Sequence, residues 1–89
     1  VGNARFWLKH GADFPFDAPD SWWRSENNIT PAPAAKDWAH AAARGILADL
    51  GDRRGIKHEL DALDEDIRIE LVGSLADIIR EAHKRAKPC

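Results

Sequence analysis

Residues 64–86 constrain this chain more than any other stretch. Ile67, Leu71, Leu75, Ile78 and Ala82 follow one another at steps of four, four, three and four. That spacing draws one stripe along one face of an α-helix, and Val72 and Ile79 widen it. Asp64 suits the N-cap, while Glu65, Asp66 and Glu70 place negative charge at the positive end of the helix dipole. Arg80, Lys84, Arg85 and Lys87 place positive charge at the other end, and Pro88 forbids continuation. The pattern predicts a helix over 65–86, with Leu71, Leu75 and Ile78 in the core.

The chain of 89 residues is one domain, with no room for a second core. Its apolar fraction is 44%, but 15 of those residues are alanine, so the core is modest. Dimerisation or partner binding would then supply part of the stability. A net charge of −2 argues against a strongly electrostatic binder of nucleic acid or membrane surface, although a local basic patch remains compatible with it. The single cysteine, Cys89, has no internal disulfide partner, which fits a reducing compartment. No apolar run approaches the roughly 18 residues of a membrane span, and no signal peptide is visible. Together these features predict a cytoplasmic protein that does not engage a membrane. Val1 reads as an alternative start or a trimmed end. Asn28-Ile29-Thr30 spells a glycosylation acceptor, for which chance is a sufficient account.

Residues 1–33 differ from the rest. They hold four of the five prolines and six of the seven aromatics: Phe6, Trp7, Phe14, Phe16, Trp22 and Trp23. Gly11, Pro15, Pro19, Pro31 and Pro33 interrupt any helix longer than about two turns. The window from Asn3 to His10 fits a short helix or a strand equally, and Asp20-Ser21 offers a short helix start before Trp22. The expectation is an irregular arm whose rings dock on the helices and complete their core, because so many exposed rings exceed what a soluble monomer usually shows.

After the stiff Pro31-Ala32-Pro33 link, Trp38, Ala42, Ile46 and Leu50 recur every fourth residue, with Ala39, Ala43 and Leu47 alongside. This predicts a helix over 34–50 that lets a neighbour approach closely, ended by Gly51 as a C′ residue. Asp52 then caps a helix over 53–63 with Ile56, Leu60 and Leu63 facing inward and Gly55 in its first turn. The fold class expected is all-α: a single domain of three helices, 34–86, with the aromatic-rich arm, 1–33, packed on it. Short loops make sequential helices neighbours.

No phosphate loop, nucleophile elbow or zinc spacing is present. The four histidines are scattered, and His58 with Asp61 makes two ligands, not a site. No catalytic residue, metal or cofactor is expected, and the chain reads as a non-enzyme. The acidic group Asp61, Asp64, Glu65, Asp66 and Glu70 is explained by capping and dipole compensation, with mimicry of nucleic-acid phosphates as the functional alternative. Arg53-Arg54-Gly55-Ile56-Lys57-His58 is the one compact basic run. It is placed like the second helix of a helix-turn-helix, yet Glu59 and Asp61 would meet phosphates there, and an ion-paired solvated face explains it as well. Trp22-Trp23 is the most distinctive dipeptide: either both rings pack on the alanine-rich helix, or one anchors an interface.

The segments Arg44-Gly45-Ile46-Leu47-Ala48-Asp49-Leu50-Gly51-Asp52-Arg53-Arg54-Gly55-Ile56-Lys57, Asp64-Glu65-Asp66-Ile67 and Ile78-Ile79-Arg80 resemble short helical proteins encoded by bacteriophages and prophages of GC-rich bacteria. The resemblance covers about half the chain and carries no catalytic motif. It implies a phage accessory protein. Proteins of that kind commonly act by binding a host protein, CRISPR effectors included.

The expected function is therefore a small protein–protein interaction module, regulating or inhibiting a host complex through Trp22, Trp23 and Arg24. Its partner would be a host or phage protein, or a second copy of the chain. The alternative is a helix-turn-helix-like nucleic-acid binder using Arg53, Arg54 and Lys57.

Overall fold

The computed structural model describes residues 3–24 and 31–86. Val1, the Asn28-Ile29-Thr30 tripeptide and Lys87-Pro88-Cys89 lie outside them. The described residues are mostly helical and contain no strand: α1 is Ala4–Asp13, α2 Asp20–Trp23, α3 Trp38–Gly51, α4 Lys57–Asp61 and α5 Glu65–Ala86. Helix α3 lies between α1 and α5 and packs against both, with α4 beside it. None of the described helices is long and apolar enough to cross a membrane.

The core is built from small side chains. Ala39, Ala43 and Leu47 of α3 meet Val72 and Ala76 of α5, and Leu50, Leu60, Leu71, Leu75, Ile79 and Phe16 pack around them. This differs from the expected stripes by one residue on each helix. Trp38 and Ile46 on α3, and Ile67 and Ile78 on α5, are exposed, and Ile78 is 62% exposed. Leu71 and Leu75 are half-buried. Alanine against alanine and valine lets two helices approach more closely than rows of leucine and isoleucine do. The large apolar residues are thereby pushed to the flanks of the contact.

The arm also differs from expectation. Its first part is the ten-residue helix α1, and its closest approach to α3 is made at glycines. A Cβ on Gly11 would lie 2.6 Å from the backbone carbon and oxygen of Arg44, and one on Gly45 would lie 3.1 Å from the Cα of Leu8. Two glycines thus let the α1 and α3 backbones touch. Phe6, Phe14 and Trp23 stay 59%, 48% and 41% exposed, so the expected docking of the aromatics holds only in part.

Helix α3 begins at Trp38 instead of residue 34 because Asp37 caps it, accepting from the His40 backbone N–H at 2.9 Å. The predicted helix over 53–63 shrinks to the five residues of α4. Asp52 closes α3, its N–H donating to the Asp49 carbonyl at 3.1 Å, and so does not cap α4. Gly51 is the last residue of α3, and the left-handed position falls to Gly55, with φ +84°. Ile56 is accordingly exposed, while Leu60 and Leu63 are half-buried.

Asp37 also ties α3 to α5. Its carboxylate takes the His40 Nδ1 at 2.9 Å and the Arg80 Nη1 at 2.7 Å, and Arg80 reaches Asp77 at 2.7 Å. The His40 backbone N–H first, the His40 imidazole next, and the Arg80 charge after them hold this carboxyl below its ordinary value of 3.8. A carboxyl lowered by folding stabilises the fold fully above the ordinary value and loses that contribution as pH falls through the lowered one. Asp37→Asn keeps the cap but removes the charge. The variant is expected to be less stable than the parent at neutral pH, with the difference vanishing in strong acid. Urea unfolding of both across the acid range measures it.

Candidate functional site

The exposed rings of the arm line one groove. Phe6, Trp7, His10 and Phe14 form a ladder along α1, with ring centroids 4.9 Å apart for Phe6 and Trp7, 5.8 Å for Phe6 and His10, and 5.0 Å for His10 and Phe14. Steps of four from Phe6 to His10 to Phe14 put these three on one helix face. Trp23 of α2 and Phe16 continue the wall, Leu47 belongs to the floor, and Leu60 and Leu63 stand on the α4 side. The groove encloses about 670 Å³, the size of a cavity that takes a few side chains or a small ligand. Asp52, Lys57 and Asp61 supply its charged lining near α4.

Two buried arginines fix the wall. Arg44 of α3 donates from Nε to Asp17 at 2.7 Å and from Nη1 to the Pro33 carbonyl at 2.8 Å. Arg68 of α5 donates from Nη1 to the carbonyls of Phe16 and Ala18 at 2.9 and 3.1 Å, and from Nη2 to the carboxylate of Asp20. The backbone N–H of Asp20 donates in turn to Glu65 at 2.7 Å. The planar guanidinium serves three acceptors at once, which no other side chain does in that space. The segment 16–20 is therefore held by hydrogen bonds to its backbone and its acids.

Of the residues singled out from sequence, Trp23 lines the groove. Trp22 is half-buried and meets Trp23 edge-on with centroids 4.8 Å apart. Arg24 is exposed, and its guanidinium lies 3.9 Å from Asp20. The basic run is divided between two depressions: Arg53, paired with Asp49 at 3.2 Å, lines a second one with Leu8 and Ile46, whereas Lys57 lines the ring-lined groove. The helix that would read bases is only the five residues of α4. Among the described residues, no three of His, Cys, Asp and Glu are grouped to hold a metal.

Sequence reasoning missed Phe6, His10 and Phe14 as a set, although their spacing of four was a usable signal once 4–13 is read as a helix. It also missed Arg44 and Arg68, whose charge argues for the surface in any pattern-based reading. No protein-family model, curated protein or solved structure matches this chain.

Proposed function

We propose that this protein is a protein-binding module whose groove between α1, α2 and α4 receives an apolar anchor from a partner protein. One observation carries the reading: Phe6, Phe14 and Trp23 stay 59%, 48% and 41% exposed around a single groove, although the segment beside them is already fixed by Arg68. Rings held in place yet left accessible are what a binding hot spot requires, since little ordering cost remains on association. Trp23 is the central contact, with Trp22 and Arg24 behind and beside it. Asp52 and Asp61 against Lys57 leave the lining near α4 net acidic, which favours a partner segment with Lys or Arg next to its apolar anchor. The resemblance to phage-encoded helical proteins supports a partner that belongs to a host complex. The role assigned is occupancy of a surface, not catalysis.

Panning a random peptide-display library on the full chain tests this. Selected peptides are expected to pair an aromatic or leucine anchor with a nearby basic residue. Trp23→Ala is expected to weaken them about 30-fold, the effect of losing one aromatic hot spot. Trp38→Ala, which removes a more exposed ring (54%) that meets His83 with centroids 5.0 Å apart, is expected to leave them unchanged. Peptides indifferent to Trp23→Ala would overturn the reading. So would tight, steeply salt-dependent binding of duplex DNA that is lost on changing Arg53, Arg54 and Lys57 to Ala.

A further inference from the structure

Among the described residues, the α5 stripe is covered only at Leu71 and Leu75, which flank the contact with α3, while Ile67, Ile78 and Ala82 stay open. Ile67 is 42% exposed and Ile78 62% exposed; Leu71 and Leu75 between them are half-buried, and Ala82 is exposed. All five lie on one side of the helix, turned by about 100° from the Val72–Ala76 line that packs on α3. The stripe runs across about 22 Å of helix, at 1.5 Å per residue. It is separate from the ring-lined groove, which takes none of these residues.

We infer that this face pairs with the same face of a second copy of the chain, α5 running antiparallel to α5. The charge pattern selects both the partner and the direction. Leaving aside Glu65 and Arg80, which bond to Asp20, Asp37 and Asp77 of the same chain, Asp64, Asp66 and Glu70 stand at the start of the helix and Lys84 and Arg85 at its end, so the helix complements itself when reversed. A parallel pair would set acid on acid and base on base and align the two dipoles. In the reversed arrangement a two-fold axis between Ser74 and Leu75 sets Ile67 opposite Ala82 and Leu71 opposite Ile78. It also sets Asp64 opposite Arg85, whose side chain is 79% exposed and meets Glu81 of its own helix at 2.9 Å. Such a contact is isologous and closed. One helix pair lies at or below the small end of stable interfaces, about 1,200 Å² in total, which fits a weak and reversible dimer.

Sedimentation of the full chain over a concentration series reads the result. A weak, reversible monomer–dimer equilibrium is expected. Ile78→Glu, at a position already open to water, is expected to raise the dissociation constant at least about tenfold with helix content unchanged by circular dichroism. Direction is read by oxidation in a Cys89→Ser background. Ile67→Cys mixed with Ala82→Cys is expected to cross-link, and each alone is not. A chain still monomeric at about 1 mM, a dimer indifferent to Ile78→Glu, or Ile67→Cys cross-linking to itself would overturn the inference. Groove binding by peptides is read separately and stands or falls without it.

Discussion

Replacing Arg68 by Ala is expected to cost about 3 kcal/mol, and Arg44→Ala at least as much. The change strands the carbonyls of Phe16 and Ala18, which Arg68 holds at 2.9 and 3.1 Å. A buried polar group that loses its partner costs about 1–3 kcal/mol. The Asp20 carboxylate adds little, because its side chain is 44% exposed and water takes over. For Arg44 the partner is closed in: the side chains of Arg44 and Asp17 are 5% and 16% exposed, and stranding such a carboxylate costs about 3–5 kcal/mol. A domain of this length has about 5–13 kcal/mol in total, so either change removes a large share. Arg68→Lys is expected to fall between parent and Ala, since one ammonium cannot span three acceptors. Urea unfolding monitored by tryptophan fluorescence orders the three.

The second large effect is at Gly11. A methyl group there meets the Arg44 carbonyl carbon and oxygen at 2.6 Å and the Gly45 nitrogen at 2.7 Å. These are backbone atoms of α3, and no side chain can swing aside to make room. Helices α1 and α3 must separate, and overpacking of this kind costs about 1–3 kcal/mol. Alanine's better helix propensity returns up to about 1 kcal/mol, so Gly11→Ala is expected to be net destabilising. Gly73→Ala supplies the control: no atom stands within 4 Å of its added methyl group, so the propensity gain is undiminished and stability should rise by about 0.5–1 kcal/mol. Thermal unfolding of both variants shows the opposite signs. Separation of α1 from α3 also widens the ring-lined groove, so Gly11→Ala should weaken any peptide selected on the parent.

The all-α class and the bounds of α5 were legible because local signals agree there: spacing, caps and charge at the two ends all describe one helix. The facing of α5 was not. Its large apolar residues outline one face, whereas contact with α3 is decided by where Ala39, Ala43 and Ala76 permit close approach, a property of two helices together. Helix α1 was hidden by Gly11, which reads as an interruption in isolation and serves as a contact surface beside Gly45. Helix α4 was overextended because Gly55 looks tolerable near a helix start, while its φ of +84° ends the run. Of the groove, Trp23 was legible as an unusual ring in an unusual dipeptide. Phe6, His10 and Phe14 were not, since their common face exists only if the arm is helical. Arg68 looks like one more exposed charge on α5 until the segment 16–20 is laid over it.

Hydrogen bonds from buried arginines and a glycine crossing hold the arm, and Phe6, Phe14 and Trp23 stay exposed. The most direct test is the unfolding free energy of Trp23→Ala measured beside that of Arg68→Ala on the full chain. Trp23 is 41% exposed, so its loss is expected to cost about 1 kcal/mol, against about 3 kcal/mol for Arg68, with helix content kept in both. Trp23→Ala costing as much as Arg68→Ala or more would contradict the account, because the ring would then be part of what holds the arm.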